Sequence, residues 1–379
     1  MTDSRFRSLR RAYGFDEVAI VPGRVTINPE QTDISFAVGE HTVPLPVLAA
    51  AMDAVVDPAF AVALGRLGGL AVLNLEGVQT RYEHPGEVLA NIAACPAQEV
   101  TSLLQKIYTA PIQERLVGER IGAIKAGGAV CAASTTPASA KRLGALAVEA
   151  GADIFAVQST VTTARHVSKS YRGLIFSELC QVLRVPVLVG NCVSYETATE
   201  LMEEGISGVL VGVGPGAACT TREVLGIGVP QVTATMDCAA ARDDYFRRTG
   251  RYVTIITDGG IRTGGDLCKA LASGADAVML GSVFAQTEQA PGQGHHWGMA
   301  TSHAALPRGT RIKVGITATL EQILFGPTSR TDGTQNLMGA LRTAMGVCGA
   351  ATIKEFHQAE MVVAPAIKTE GKQFQMAKA

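Results

Sequence analysis

The chain has 379 residues, 47% hydrophobic and 18% charged, which supplies one large core or two ordinary ones and excludes a disordered chain. Its 33 basic and 34 acidic residues give a formal charge of −1, so no basic field points to nucleic acid. MTDSRFRSLRRAYGF lacks the apolar core of a signal peptide, and no run reaches the roughly 18 uninterrupted apolar residues of a membrane span.

The eight cysteines (Cys95, Cys131, Cys180, Cys192, Cys219, Cys238, Cys268 and Cys348) are scattered without a C-x-x-C pair. That usage reads as reduced thiols of a cytoplasmic protein rather than a disulfide framework or a zinc site.

After a polar start, FDEVAIVPGR (15–24) leads into an irregular stretch expected to hold a hairpin within 25–44. Short runs rich in Val, Ile, Leu and Ala then alternate with helical patterns. The runs are 47–52, 70–74, 129–133, 154–158, 187–190, 208–213, 253–257 and 277–281; helices are expected at 57–67, 138–150, 194–204 and 264–273. Continuous apolar runs are the mark of parallel strands buried on both faces. The junctions RLGGLA, EAGAD, EEGISG and LASGADA place a glycine between helix and next strand, a normal helix stop.

Eight such units in sequence predict an α/β fold of the (β/α)8 TIM-barrel type. A doubly wound sheet is the alternative, but it seldom takes eight strands in a row. Residues 75–128 (EVLANIAAC, EVTSLLQKIY, IQERL) read as extra helices inserted after the second strand rather than a further domain. Residues 287–334 open with the Gly/His-rich EQAPGQGHHWGMATSHAALPRGTRIKVG and read as a flap over the site. A last helix at 335–346 precedes CGAATIKEFHQ and a tail. The whole of 1–379 is thus expected to be one catalytic barrel domain.

The chemistry gathers where the runs end. GVLVGVGPGAACTTREVLGIGVPQ (208–231) passes from a strand into a glycine loop and reaches Cys219, Thr220 and Thr221. A thiol among small residues and hydroxyls on such a loop is a candidate nucleophile. The seventh run ends TDGGIRTGGD, placing Asp258, Gly259 and Gly260 at the barrel mouth; the eighth ends MLGS, placing Gly281 and Ser282 there.

Glycine amides and a helix start bind anions without a positive side chain. Asp258 would repel a phosphate but accept hydrogen bonds from two ribose hydroxyls. Together these point to a nucleoside monophosphate, with tight turns as the bland alternative. Gly212, Gly214 and Ala217 also fit a loose G-x-G-x-x-G/A pattern, which is weak by itself. Adjacent His295 and His296 lack helical metal-ligand spacing and read as loop residues; His84 and His166 read as surface. Trp297, the only tryptophan, is a candidate to cover a ligand from the flap. Arg308 and Arg311 are either solvated flap charges or anion-binding and catalytic groups.

These stretches, with PVLAAAMDAVVD, EQAPG and LRTAMGVCGAATIKEF, resemble the IMP dehydrogenase/GMP reductase family over almost the whole chain. The resemblance implies a (β/α)8 barrel assembled as a homotetramer. It implies that Cys219 attacks C2 of the purine of IMP, that hydride passes to NAD, and that water releases XMP. By the same resemblance Thr221 lies beside the reacting centre and Asp258 holds the ribose. Gly259, Gly260, Gly281 and Ser282 would hold the phosphate. Met52 would lie against the base, which Met299 and Ala300 would bond through their main chains.

Gln158, Ser159, Thr160, Asn191, Gly212 and Gly214 would fall on the cofactor side. Carbonyls of Gly214, Gly216 and Cys219 would line a potassium site. The chain also departs from the pattern. Helices stand where the dehydrogenases carry a tandem CBS module, and Gln158 stands for an aspartate near the nicotinamide ribose. Ala217 replaces a phosphate-binding serine, and His296 replaces a phosphate-binding tyrosine.

Ala304 and Ala305 fall where the Arg-Tyr pair that activates water would be, and the polar residue beyond it falls on Val314 or Ile316. Arg308, then Arg311, are the remaining candidates for that step. The expected activity is IMP dehydrogenase. GMP reductase, running GMP to IMP with NADPH, and a non-catalytic purine-nucleotide-binding relative are the alternatives.

Overall fold

A computed structural model of the chain describes residues 9–167, 173–298 and 311–364. Before the barrel come β1 (Val18–Ile20) and a hairpin of β2 (Phe36–Val38) and β3 (His41–Val43). Eight parallel strands then close on one another: β4 (Val47–Ala49), β5 (Leu70–Asn74), β6 (Ala132–Thr135), β7 (Ile154–Gln158), β8 (Val187–Cys192), β9 (Gly208–Val211), β10 (Thr254–Asp258) and β11 (Ala277–Leu280). They neighbour one another in sequence order, and β11 pairs with β4 to close the ring. All eight expected runs are strands. The third lies further along the chain than expected, because 129–131 lead into β6 rather than belong to it.

Alternation along each strand divides two cores. Leu48, Leu70, Val72, Ile154, Leu188 and Ile256 fill the barrel interior, where Phe36, Val38 and Val43 of the hairpin join them. Their neighbours Val47, Leu73, Phe155, Val189, Val209 and Val278 face the helical layer. The hairpin plugs the end where the strands begin: the Thr254 hydroxyl donates to the Ala37 carbonyl at 2.7 Å, and Gly39 packs on Pro186. The opposite mouth is left for function.

The helices between the strands begin and stop where side chains dictate. Asp57, Ser194 and Thr263 cap the first turns of α1 (Pro58–Arg66), α7 (Tyr195–Glu203) and α10 (Gly264–Ala272). Gly68, Gly151, Gly205 and Gly274, the four junction glycines, all take a φ between 90° and 104°, open only to a residue without Cβ strain. The insertion is helical: α2 (Pro85–Ala94), α3 (Val100–Ile107) and α4 (Glu114–Ala126). The layer continues with α5 (Ala140–Glu149) and α6 (Phe176–Leu183).

Later come the short α8 (Thr221–Leu225), then α9 (Gln231–Thr249). With 19 residues α9 is the longest described helix. It buries Arg242 against Asp276 at 3.1 Å, a pair that no local pattern announces. The described residues of segment 287–334 hold regular elements. Beyond α11 (Ser282–Ala285) it holds an antiparallel pair, β12 (His295–His296) with β13 (Ile312–Lys313), and α12 (Leu320–Phe325). The last long helix, α13 (Leu337–Cys348), runs slightly past its expected span. After α14 (Ile353–Phe356), β14 (Met361–Val363) returns to pair with β1.

Candidate active site

Parallel barrel strands point their carboxyl ends to one face, so the residues just past each strand share a single mouth. Here that mouth holds a cavity of about 980 Å³, at the upper end of small-ligand pockets. Met52, Gln158, Ser159, Thr160, Asn191, Gly212, Gly214, Gly216, Cys219, Thr221, Asp258, Gly259, Gly260, Gly281, Ser282 and His296 all line it. Met299, Ala300 and Arg308 lie outside the described residues, as do Ala304 and Ala305.

Cys219 is half-buried in the loop between β9 and α8, and its thiol donates to the Thr221 hydroxyl at 3.2 Å. Burial pushes Cys131 and Cys268 up to about 12 and Cys180 to about 11, which leaves those three thiols protonated. The Gly216 carbonyl accepts the Cys219 amide at 3.0 Å. That bond lies inside the loop that carries the three carbonyls expected around potassium. Among the described residues no group of three His, Cys, Asp or Glu side chains is placed to hold a metal.

Across the mouth, Gly259 and Gly260 take φ of +90° and +81°, and a Cβ on either would press on Pro215 or Gly216. This turn therefore packs directly on the cysteine loop. Gly281 lies under Met52, whose sulfur is 3.0 Å from where a Cβ would be. Ser282 starts α11 and shares a 2.9 Å hydrogen bond with His296 Nε2. Burial pushes His296 down to about 4, so its ring is neutral at neutral pH. Its Nδ1 is buried without a hydrogen-bond partner among the described residues.

Gln158 and Asn191, expected on the cofactor side, join the expected ribose acceptor in one cluster. Asn191 Nδ2 and Gln158 Nε2 donate to Asp258 Oδ2 at 2.7 and 3.1 Å. Desolvation pushes Asp258 up to about 6, against the opposing effect of the two amide donors. Both donors take Oδ2, so Oδ1 is left to the cavity. Gly212 lines the cavity, but its lack of a side chain answers to packing: a Cβ would lie 2.2 Å from the Asp258 carbonyl. At Gly214 a Cβ would collide with Arg222. Neither glycine needs a dinucleotide to explain it.

Two flap readings are corrected. Trp297 does not cover a ligand; it is fully buried among the insertion helices. Arg311 does not reach for water, since its Nη1 donates to the carbonyls of Ile92 and Ala93 at the end of α2. Val314 packs on the main core and Ile316 is exposed, so neither supplies a polar group.

Some cavity residues went unnoticed in the sequence. Buried Gln231 opens α9 and donates through Nε2 to the carbonyls of Val211 and Asp258 at 2.9 and 2.8 Å, tying the cysteine loop to the Asp-Gly-Gly turn. Glu76 accepts from the Thr136 amide and from the Ser139 hydroxyl. Asn74, Ser134, Thr135 and Thr136 complete a polar wall with Ser159 and Thr160. Thr135 Oγ1 is buried there with no hydrogen-bond partner among the described residues, which fits a ligand carrying hydroxyl or amide groups. The signal for Glu76 and Thr136 was their place just past the second and third strands.

The fold and the position of this mouth define the chain as a (β/α)8 barrel with its chemistry at the carboxyl ends of the strands. Residues 12–372 match the profile of the IMP dehydrogenase / GMP reductase domain. A Mycolicibacterium smegmatis protein named an uncharacterized oxidoreductase is 38% identical over 366 residues, covering 94% of this chain and 98% of its own. The inosine-5'-monophosphate dehydrogenase of Cryptosporidium parvum is 28% identical over 398 residues, covering 92% and 91%. The crystal structure of an IMP dehydrogenase/GMP reductase-like protein from Corynebacterium glutamicum matches with a TM-score of 0.89 at 35% identity, over 94% of this chain and 95% of that one. The chain belongs to the IMP dehydrogenase/GMP reductase family, a family of oxidoreductases. No helix among the described residues is long and apolar enough to cross a membrane.

Proposed function

We propose that the protein is an IMP dehydrogenase that oxidises IMP to XMP. The observation that carries this is one cavity joining a half-buried Cys219 to Asp258, to the Gly259–Gly260 and Gly281–Ser282 turns, and to a neutral His296. The phosphate sits on the glycine turns, with Ser282 as donor and His296 orienting its hydroxyl; the ribose hydroxyls donate to Asp258 Oδ1. The base lies along Met52, bringing C2 to Cys219. Cys219 sulfur would bond to C2 as the thiol proton leaves to solvent, and NAD held beside it would supply the acceptor for the hydride that C2 gives up. Thr221, hydrogen-bonded to the thiol, holds it toward C2. Water then adds at C2, the carbon–sulfur bond breaks, and XMP leaves with Cys219 restored.

Gln158, Ser159, Thr160, Asn191 and the orphaned Thr135 hydroxyl form the wall available to the dinucleotide. The reading takes the chain as a homotetramer, which light scattering in solution tests. A second reading, GMP reductase, is favoured by one observation: α2, α3 and α4 fill the place of a regulatory module. The purified chain is mixed with IMP and NAD, and separately with GMP and NADPH, while reduced nicotinamide is followed. Formation of NADH only in the first mixture supports the dehydrogenase, consumption of NADPH only in the second the reductase. Turnover in neither, with nucleotide still bound, discards both in favour of a binding protein.

A further inference from the structure

The only tryptophan of the chain is fully buried in a cluster with Val78, Leu89, Ile92, Leu104 and Tyr108. Its indole Nε1 donates to the Tyr108 hydroxyl at 2.8 Å. That hydroxyl donates to Asp53 Oδ2 at 2.7 Å, and the same oxygen accepts the Val78 amide at 2.7 Å. A buried polar chain of this kind admits one geometry, because any break leaves a donor or acceptor without water to replace its partner. Both ends of the chain abut the cavity. Trp297 directly follows His296, and Asp53 directly follows Met52. Tyr108 itself does not line the cavity; it caps the end of α3 in the helical insertion.

A second tie runs in parallel. His296 pairs with Ile312 across β12 and β13, and the neighbouring Arg311 is bonded to the last carbonyls of α2. Each strand of the pair that presents His296 is therefore anchored on the insertion. We propose that Tyr108 is a positioning residue for the phosphate end of the cavity, setting His296 against Ser282 through Trp297 and Met52 over Gly281 through Asp53. On this view the inserted helices are the seat of the phosphate-binding strand pair. The inference rests on the reading of the cavity as a nucleoside monophosphate site.

The test uses the full chain with IMP, GMP and inorganic phosphate as probes, so that a wrong choice of base does not hide the result. Tyr108→Phe keeps the ring and removes the hydroxyl. The variant is expected to stay folded by circular dichroism, to shift the emission of Trp297, and to bind all three probes about ten-fold more weakly. In a His296→Ala background the same substitution is expected to cost far less, because two residues acting through one contact are not additive. Trp297→Phe, which removes the indole donor together with part of the ring, repeats the pattern should Tyr108→Phe misfold.

Unchanged phosphate affinity in these variants, or equal losses in both backgrounds, overturns the role of Tyr108 alone. Failure of the unmodified chain to bind any of the three probes overturns the monophosphate reading and this inference with it.

Discussion

Asp258→Asn separates the stability of this site from its function. Desolvation raises the Asp258 carboxyl from 3.8 to about 6 in the folded chain. A folded-state pKa above the unfolded one means that folding disfavours ionisation. The associated stability is therefore whole below pH 3.8 and is lost as pH rises through about 6. At 1.36 kcal/mol per unit, keeping the carboxylate charged costs about 3 kcal/mol at pH 8, of which roughly half is already present at pH 5. Asparagine presents an oxygen to the Asn191 and Gln158 donors and carries no charge, so it escapes that cost.

Urea unfolding of both chains at pH 5, 6.5 and 8 measures the difference. The variant is expected to be more stable at pH 8, with a gap roughly twice that at pH 5. The same substitution removes the ionised acceptor proposed for two ribose hydroxyls, and nucleotide affinity is expected to fall by about 10- to 100-fold, as for lost hydrogen bonds to a charged group. A gap that does not change with pH, or an unchanged affinity, would refute the reasoning.

Cys219→Ala is expected to abolish turnover while nucleotide binding persists in calorimetry; substantial residual turnover would remove Cys219 as the nucleophile. If Arg308 activates water, Arg308→Ala accumulates the covalent adduct, visible as an added mass on the intact protein. Arg311→Ala, which loses only its bonds to α2, is expected not to accumulate it, and an adduct there would reverse the two assignments. Asp276→Ala leaves the buried Arg242 guanidinium with only the exposed Asp243 as counter-charge and removes the acceptor of the Tyr252 hydroxyl and the Ile255 amide, and should cost about 3–5 kcal/mol in urea unfolding; a loss below about 1 kcal/mol would mean that the pair is solvated like a surface bridge.

The barrel was legible in the sequence because its signals are local. Each buried parallel strand must be apolar on both faces, and each helix stop before a strand needs a residue free to take positive φ. Eight runs and four junction glycines therefore gave the strand number and order. The mouth was legible for a related reason: parallel strands send their last residues to one face. Cys219, Asp258, Gly260 and Ser282 could be assigned to a common site before any contact was known.

Side-chain direction was not legible, because it depends on what lies across the fold. Trp297 and Arg311 sit in a glycine-rich polar stretch that reads as a flap, yet the insertion offers the one an apolar socket and the other two unpaired helix carbonyls. Gln158 read as a missing charge; the fold sets it beside Asn191 as a donor to Asp258, a residue 100 positions away. Gln231 looked like the end of a motif until the fold brought the ends of β9 and β10 to its amide. Sequence periodicity decides which residues reach the mouth of this barrel. Only tertiary packing, by removing water and supplying partners, decides which of them are charged, which are held, and what they face.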